Sequence, residues 1–168
     1  YDPKLIFKDI KIKFESSKNK QSGEFSGSIK RKNNFDNFTI KENYNYNDKS
    51  FNISGLISLT NFKIKIPNLN YYKKFSEESE VNFDLKLINK KYYNINKLNY
   101  SSGKTKILLS NIQLNKNFEV KDFKKMEILT FNKKVKNNDF IATKSKKITI
   151  SGTVFDAQPL LKTLYKKT

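Results

Sequence analysis

The sequence predicts an all-β, mainly antiparallel fold that ends in one short helix. Three observations carry this. Apolar and polar residues alternate along most of the chain, the period of a strand with one face in water. Polar clusters interrupt the alternation roughly every eight to fifteen residues, as consecutive antiparallel strands require. Only near the C-terminus does the apolar spacing become helical.

In the first strand Ile6, Ile10, Ile12 and Phe14 face one way, against Lys8, Lys11 and Lys13. Residues 16–23 read as a polar turn. A second strand carries Phe25 and Ile29 around Gly27 and ends at Arg31–Asn34. Phe38 and Ile40 continue toward Tyr44 and Tyr46, and Asn47–Ser50 turns the chain into Phe51, Ile53, Ile57 and Leu59. Phe62, Ile64 and Ile66 alternate with Lys63 and Lys65 until Pro67, which cannot donate to a ladder, ends that strand. Residues 70–80 are the one region that is not obviously β and read as a loop or one helical turn.

Val81, Phe83, Leu85 and Leu87 alternate again, and Asn89–Lys91 reads as a hairpin turn into Tyr93, Ile95 and Leu98. After Ser101–Lys104 come separate strands over 107–114, 118–123 and 126–131. A turn over 133–138 leads to Phe140–Ala142, and a turn over 144–147 to the last strand, Ile148 and Ile150, which Gly152 breaks or bends. Asp156 is placed to cap a helix over 156–166, because its carboxylate can accept from free first-turn amides. Pro159 sits where its missing N–H costs nothing. Leu160, Leu161, Leu164 and Tyr165 follow at helical spacing, with Lys162, Lys166 and Lys167 toward the negative end of the dipole.

The 168 residues suit one β-rich section, residues 1–168, of a longer protein. The start on Tyr1 reads as an excised section, and any membrane anchor is expected to precede it. A hydrophobic fraction of 36% is low for a compact globule, while 14% aromatic is too high for disorder. A sheet that buries one face fits both values.

The chain has no histidine and no cysteine. That removes the commonest general base and the usual zinc, copper and haem ligands, so no cofactor and no metal site are expected. Glu77, Glu78 and Glu80 lack the spacing of a calcium loop and read as a solvated acidic turn. Asp9, Glu15, Asp84 and Asp156 fall on different elements, so no carboxylate pair forms. No P-loop, G-x-G-x-x-G or G-x-S-x-G motif occurs. The chain is read as no enzyme.

A net charge of +18 draws the surface toward anionic polymers or anionic lipid. All the basic residues but Arg31 are lysines, which weakens a specific nucleic-acid reading, since arginine makes the commonest specific base contact. The joint abundance of Lys, Asn, Ile, Phe and Tyr is also what an A+T-rich coding source supplies. A basic nucleic-acid-binding β domain would stack bases on Tyr44, Tyr46, Tyr71, Tyr72, Tyr92 and Tyr93, but these are spread over several turns and strands. A protein-binding β scaffold or adhesin is the other alternative.

The apolar face itself is the candidate site: Ile10, Ile12 and Phe14; Phe62, Ile64 and Ile66; Phe83, Leu85 and Leu87; Ile148 and Ile150. These residues would point to one side of a curved sheet. The terminal helix, about 15–17 Å long at 1.5 Å per residue, covers only one end of it. Either the sheet closes over itself as a sandwich or barrel, or it leaves an apolar trough that acyl chains or neighbouring segments must fill.

Gly152, Phe155, Asp156, Ala157, Pro159, Leu160 and Leu161 form the pattern G-x-x-F-D-A-x-P-L-L. This resembles the ending of the AsmA-like (YhdP/TamB-type) inter-membrane phospholipid-transport proteins of Gram-negative bacteria. Leu114–Phe123 is similar to the family's turn-then-strand rhythm, and Asn138–Ala142 to its penultimate strand. The resemblance covers the C-terminal third. It implies a curved, elongated sheet forming an apolar gutter, in the periplasm, anchored to the inner membrane by a segment outside this chain. The implied role is to shield or conduct phospholipid acyl chains between the membranes. Phospholipid, neighbouring β segments of the same chain and the membranes would be its partners, with no specific nucleic acid.

Overall fold

The computed structural model describes residues 4–30, 34–88, 92–115, 117 and 120–165. The predicted turn Asn89–Lys91, Arg31, Phe118 and the helix end at Lys166 lie outside them, as do the side chains of Tyr92, Leu160, Leu164 and Tyr165. Among the described residues the fold is all-β, with twelve strands mostly in one antiparallel sheet. They are β1 (Ile6–Ser16), β2 (Lys20–Lys30), β3 (Asp36–Asn45), β4 (Ser50–Ser58), β5 (Ile64–Ile66), β6 (Tyr71–Lys73), β7 (Glu80–Ile88), β8 (Tyr92–Ser102), β9 (Thr105–Leu114), β10 (Val120–Asn132), β11 (Val135–Lys144) and β12 (Ile148–Val154). A short helix, α1 (Gln158–Tyr165), follows.

Ten strands form one sheet in the order β1-β2-β3-β4-β7-β8-β9-β10-β11-β12. Every neighbour is antiparallel, and each strand pairs with the next in sequence apart from the step from β4 to β7. At that step the chain leaves the sheet and forms a separate hairpin, β5–β6, joined by a 3₁₀ turn over Pro67–Leu69.

This hairpin corrects two sequence expectations. Phe62, Ile64 and Ile66 do not extend the main sheet: Phe62 precedes β5, and Ile64 and Ile66 belong to the small hairpin. The loop expected over 70–80 contains a strand, β6, since Ile66 pairs with Tyr71 and Ile64 with Lys73. The alternation 62–66 was the right period, but period alone cannot say which sheet a strand joins.

Several strands run further than their apolar residues. β2 starts at Lys20, β8 reaches Ser102 and β11 starts at Val135, leaving hairpin turns shorter than expected. Polar residues continue the ladder here because one face of the sheet is solvated. The two strands expected over 118–123 and 126–131 are one, β10; its pairing with β9 skips register between Val120 and Asp122, and Asn111 on β9 takes a left-handed φ of 51°. A bulge, not a turn, absorbs the irregularity. β12 likewise runs through Gly152, where a Cβ would collide with the carbonyl oxygen of Asp139 and the backbone of Phe140. Glycine there permits close strand approach and does not end the strand.

Candidate functional site: one apolar sheet face

Residues directly opposite each other in an antiparallel pair point to the same side. The registers therefore trace lines across the sheet. One line reads Ile12, Phe25, Ile40, Gly55, Phe83, Leu98, Leu109, Met126, Ala142, Ile150, without a polar side chain in ten strands. The line one residue over reads Lys13, Glu24, Lys41, Ser54, Asp84, Lys97, Ser110, Lys125, Thr143, Thr149, without an apolar one. The sheet thus has a wholly apolar row and a wholly polar row back to back. Lys41 pairs with Glu24 at 3.4 Å on the polar side.

Most of the candidate residues share the apolar face. Ile12, Phe83 and Ile150 lie on the line above. Phe14 and Leu85 lie on a neighbouring line with Ile53, Ile95 and Ile112. Leu87 lies on the next, with Phe51 and Tyr93. Ile10 sits over Gly27, where an added Cβ would come within 2.7 Å of its Cδ1. Ile148 pairs with Lys144 at the far edge. Phe25, Phe38, Ile40 and Ile53 belong to the same face; their alternation was visible in sequence, but membership of the face needed the register.

The face is covered unevenly. Among the described residues, every buried apolar side chain lies on β6 or β8–β11: Tyr71, Ile95, Tyr100, Ile107, Ile112, Ile128 and Ala142. Tyr71, Tyr100, Ile107 and Ile128 form one cluster, against which Leu59, Ile64, Ile66 and Leu69 pack from the insertion. Among the described side chains of β1–β4 and β7 no apolar one is buried. Ile12 is 61% exposed and Phe14 57%, while Phe38, Ile53 and Leu85 are half-buried. At the opposite edge Ile150 is 59% exposed.

Polar groups fasten the insertion down. Lys73 is fully buried, and its Nζ donates to the carbonyl oxygens of Leu59 (2.8 Å), Thr60 (2.9 Å), Phe62 (2.7 Å) and Lys74 (3.0 Å). Burial pushes its pKa down, with the charges of Glu77 and Asp36 acting the other way. Asp36, also buried, accepts from Ser58 Oγ, Asn61 N and Asn61 Nδ2. Asn138, buried in β11, donates to Leu69 O at 2.8 Å and to Thr130 Oγ1 at 2.9 Å, and accepts from Asp156 N at 3.0 Å. Tyr71 and Tyr100 join hydroxyl to hydroxyl at 2.9 Å, and burial raises the Tyr100 pKa.

Asp156 has two partners. Its Oδ1 accepts from Gln158 N at 3.0 Å, two residues on, at the start of α1, and its Oδ2 accepts from Asn70 Nδ2 at 2.8 Å. The Asn70 bond is the main reason its carboxyl is held below the ordinary range. Asp156→Ala is expected to cost about 1–2 kcal/mol, the range for a lost cap. A carboxyl depressed in the folded state gives stability that is present above the unfolded pKa and is lost as pH falls through the folded value. The difference in thermal unfolding between the two proteins should therefore be full at neutral pH and shrink below about pH 4.

The acidic turn Glu77, Glu78 and Glu80 lines a polar hollow of about 640 Å³ with Ser58, Thr60, Ser101 and Ser102. Among the described residues no group of three His, Cys, Asp or Glu residues is placed to hold a metal ion, and no helix is long and apolar enough to cross a membrane. Comparison with protein-family models, curated proteins and solved structures finds no match.

Proposed function

We propose that the chain is a section of an AsmA-like, periplasm-spanning protein, and that its apolar face shields or conducts phospholipid acyl chains between the inner and outer membranes. In this reading the sheet curves into a gutter and the terminal helix closes one corner. The observation that carries it is the apolar line from Ile12 to Ile150, left without buried side chains over β1–β4 and β7. A contiguous apolar face of that size in water calls for an occupant. Removing about 300 Å² of it from water is worth about 7.5 kcal/mol at about 25 cal/mol per Å². Lysines distributed over the rest of the surface suit anionic headgroups.

The nucleic-acid reading loses ground on its tyrosines. Tyr71 is buried against Tyr100, and Tyr44 is engaged edge-on with Tyr46, centroids 4.9 Å apart. The Tyr71–Tyr100 pair is withdrawn from solvent, and Tyr46, 45% exposed, stands apart from it.

The test is a photo-crosslinker at Ile53, on the apolar face, set against one at the next residue, Ser54, on the polar face. With mixed phosphatidylethanolamine–phosphatidylglycerol vesicles, Ile53 is expected to capture phospholipid and Ser54 not to. Equal labelling at both, or none at Ile53, overturns the assignment.

A further inference from the structure

We infer that β12 is an association edge: a second copy of this chain adds its own β12 beside it, antiparallel, about a two-fold axis at Ile150. The inference concerns the rim of the sheet and does not rest on what its apolar face carries.

The ten-stranded sheet has two rims, β1 and β12. A rim strand presents unpaired backbone N–H and C=O groups, a template for another strand. β1 is guarded. It carries Lys8, Lys11 and Lys13, and a bulge between Lys8 and Lys11 puts Asp9 at a left-handed φ of 54°. Lysines and bulges on a rim strand oppose pairing with another chain. β12 has neither over residues 148–152: the run ITISG holds no charge and no proline, and the register shift against β11 falls beyond Gly152. Among the described residues β12 pairs only with β11, and residues 148–153 are all exposed. Asp156, bonded to Asn138 and Asn70, draws the chain that follows β12 toward the insertion.

The run is complementary to itself. Opposite residues in an antiparallel pair share a face, so two copies keep their dry faces together only where the paired numbers add to an even value. Centring on Ile150 pairs the whole uncharged run with itself. On the dry face Ile150 meets Ile150, and Ile148 meets Gly152, which has no side chain in its way. On the wet face Thr149 meets Ser151, a hydroxyl pair of the kind that stabilises cross-strand contacts. The nearest lysine, Lys147, falls across from Thr153 and not from another lysine. Two chains of charge +18 repel, so an uncharged rim is where copies can approach. The two-fold uses each β12 once, and the assembly closes at two copies. Residues 148–152 fall far short of the roughly 20–30 residues a side of a standard interface, so the dimer is weak and fills only at high protein concentration.

The experiment is sedimentation of the 168-residue chain at concentrations rising to about 1 mM, at low and high salt. A monomer–dimer equilibrium that strengthens with salt is expected, because salt screens the repulsion between the chains. A monomer throughout overturns the inference, and so do species that grow past the dimer, which pairing of β1 with β12 would give. Single cysteines read the register, since the chain has none of its own. Ile150→Cys sits opposite itself, within disulfide reach, and should oxidise to a covalent dimer about tenfold more than Ile148→Cys. Position 148 is similarly exposed but lies about 14 Å along the strand from its twin. Equal oxidation of the two overturns the register. Ile150→Lys sets two charges face to face and should leave only monomer, its thermal unfolding unchanged because the side chain is exposed. A dimer that survives Ile150→Lys overturns the role given to β12.

Discussion

Lys73→Met is expected to destabilise the protein by about 3–5 kcal/mol, a large part of the stability of an ordinary domain. Methionine is close to lysine in length and fills the space, so the loss isolates the ammonium. Three N–H donors serve four carbonyl oxygens here, from Leu59, Thr60, Phe62 and Lys74. Without the ammonium Leu59 O keeps the Phe62 N–H at 3.1 Å, and each of the other oxygens left buried without a donor costs about 1–3 kcal/mol. Denaturant unfolding measures the loss, and a change under about 1 kcal/mol would mean that water enters and replaces the ammonium. The insertion should also loosen, because residues 59–62 form its entry.

Leu85→Glu is expected to lower phospholipid capture at least tenfold at a stability cost of about 1 kcal/mol. The contrast with Ile107→Glu, expected to cost about 4 kcal/mol or more, gives the prediction its force. Both positions lie on the same sheet face, but Leu85 is half-buried on the open stretch and Ile107 is 5% exposed beneath the insertion. A carboxylate at Leu85 reaches water once lipid is absent, while one at Ile107 has no such route. A tenfold loss of capture corresponds to about 1.4 kcal/mol, a modest demand on a charge placed among acyl chains. Equal, severe destabilisation at both positions would mean that the face over β7 is a closed core.

Alternation was enough to read the strands from the sequence, because each one has a wet side and a dry side. It located Ile10–Phe14 and Val81–Leu87 on strands and gave the right facing within each. Asp156 was legible as a cap for the same local reason: a carboxylate, a proline and two leucines sit within six residues. What alternation cannot carry is partnership. Ile64 and Ile66 have the same pattern as Phe83 and Leu85, yet one pair covers the face and the other helps to form it. Lys73 gave no signal, since a lysine among lysines reads as solvated and its four acceptors come from residues up to fourteen positions away. Asn138 was read as part of a turn, although its side chain sits wholly inside and joins β10, the insertion and the chain leading to α1.

Nine antiparallel steps separate the first strand of the large sheet from the last, so β1 and β12 run in opposite directions. A strand laid antiparallel beside β1 would run the way β12 already runs. A second unit of this design, set alongside in the same orientation, would thus carry the up-and-down alternation onward with its dry side still facing the same way. An odd strand count would force every second unit to turn over end for end. Parity makes this sheet a tile.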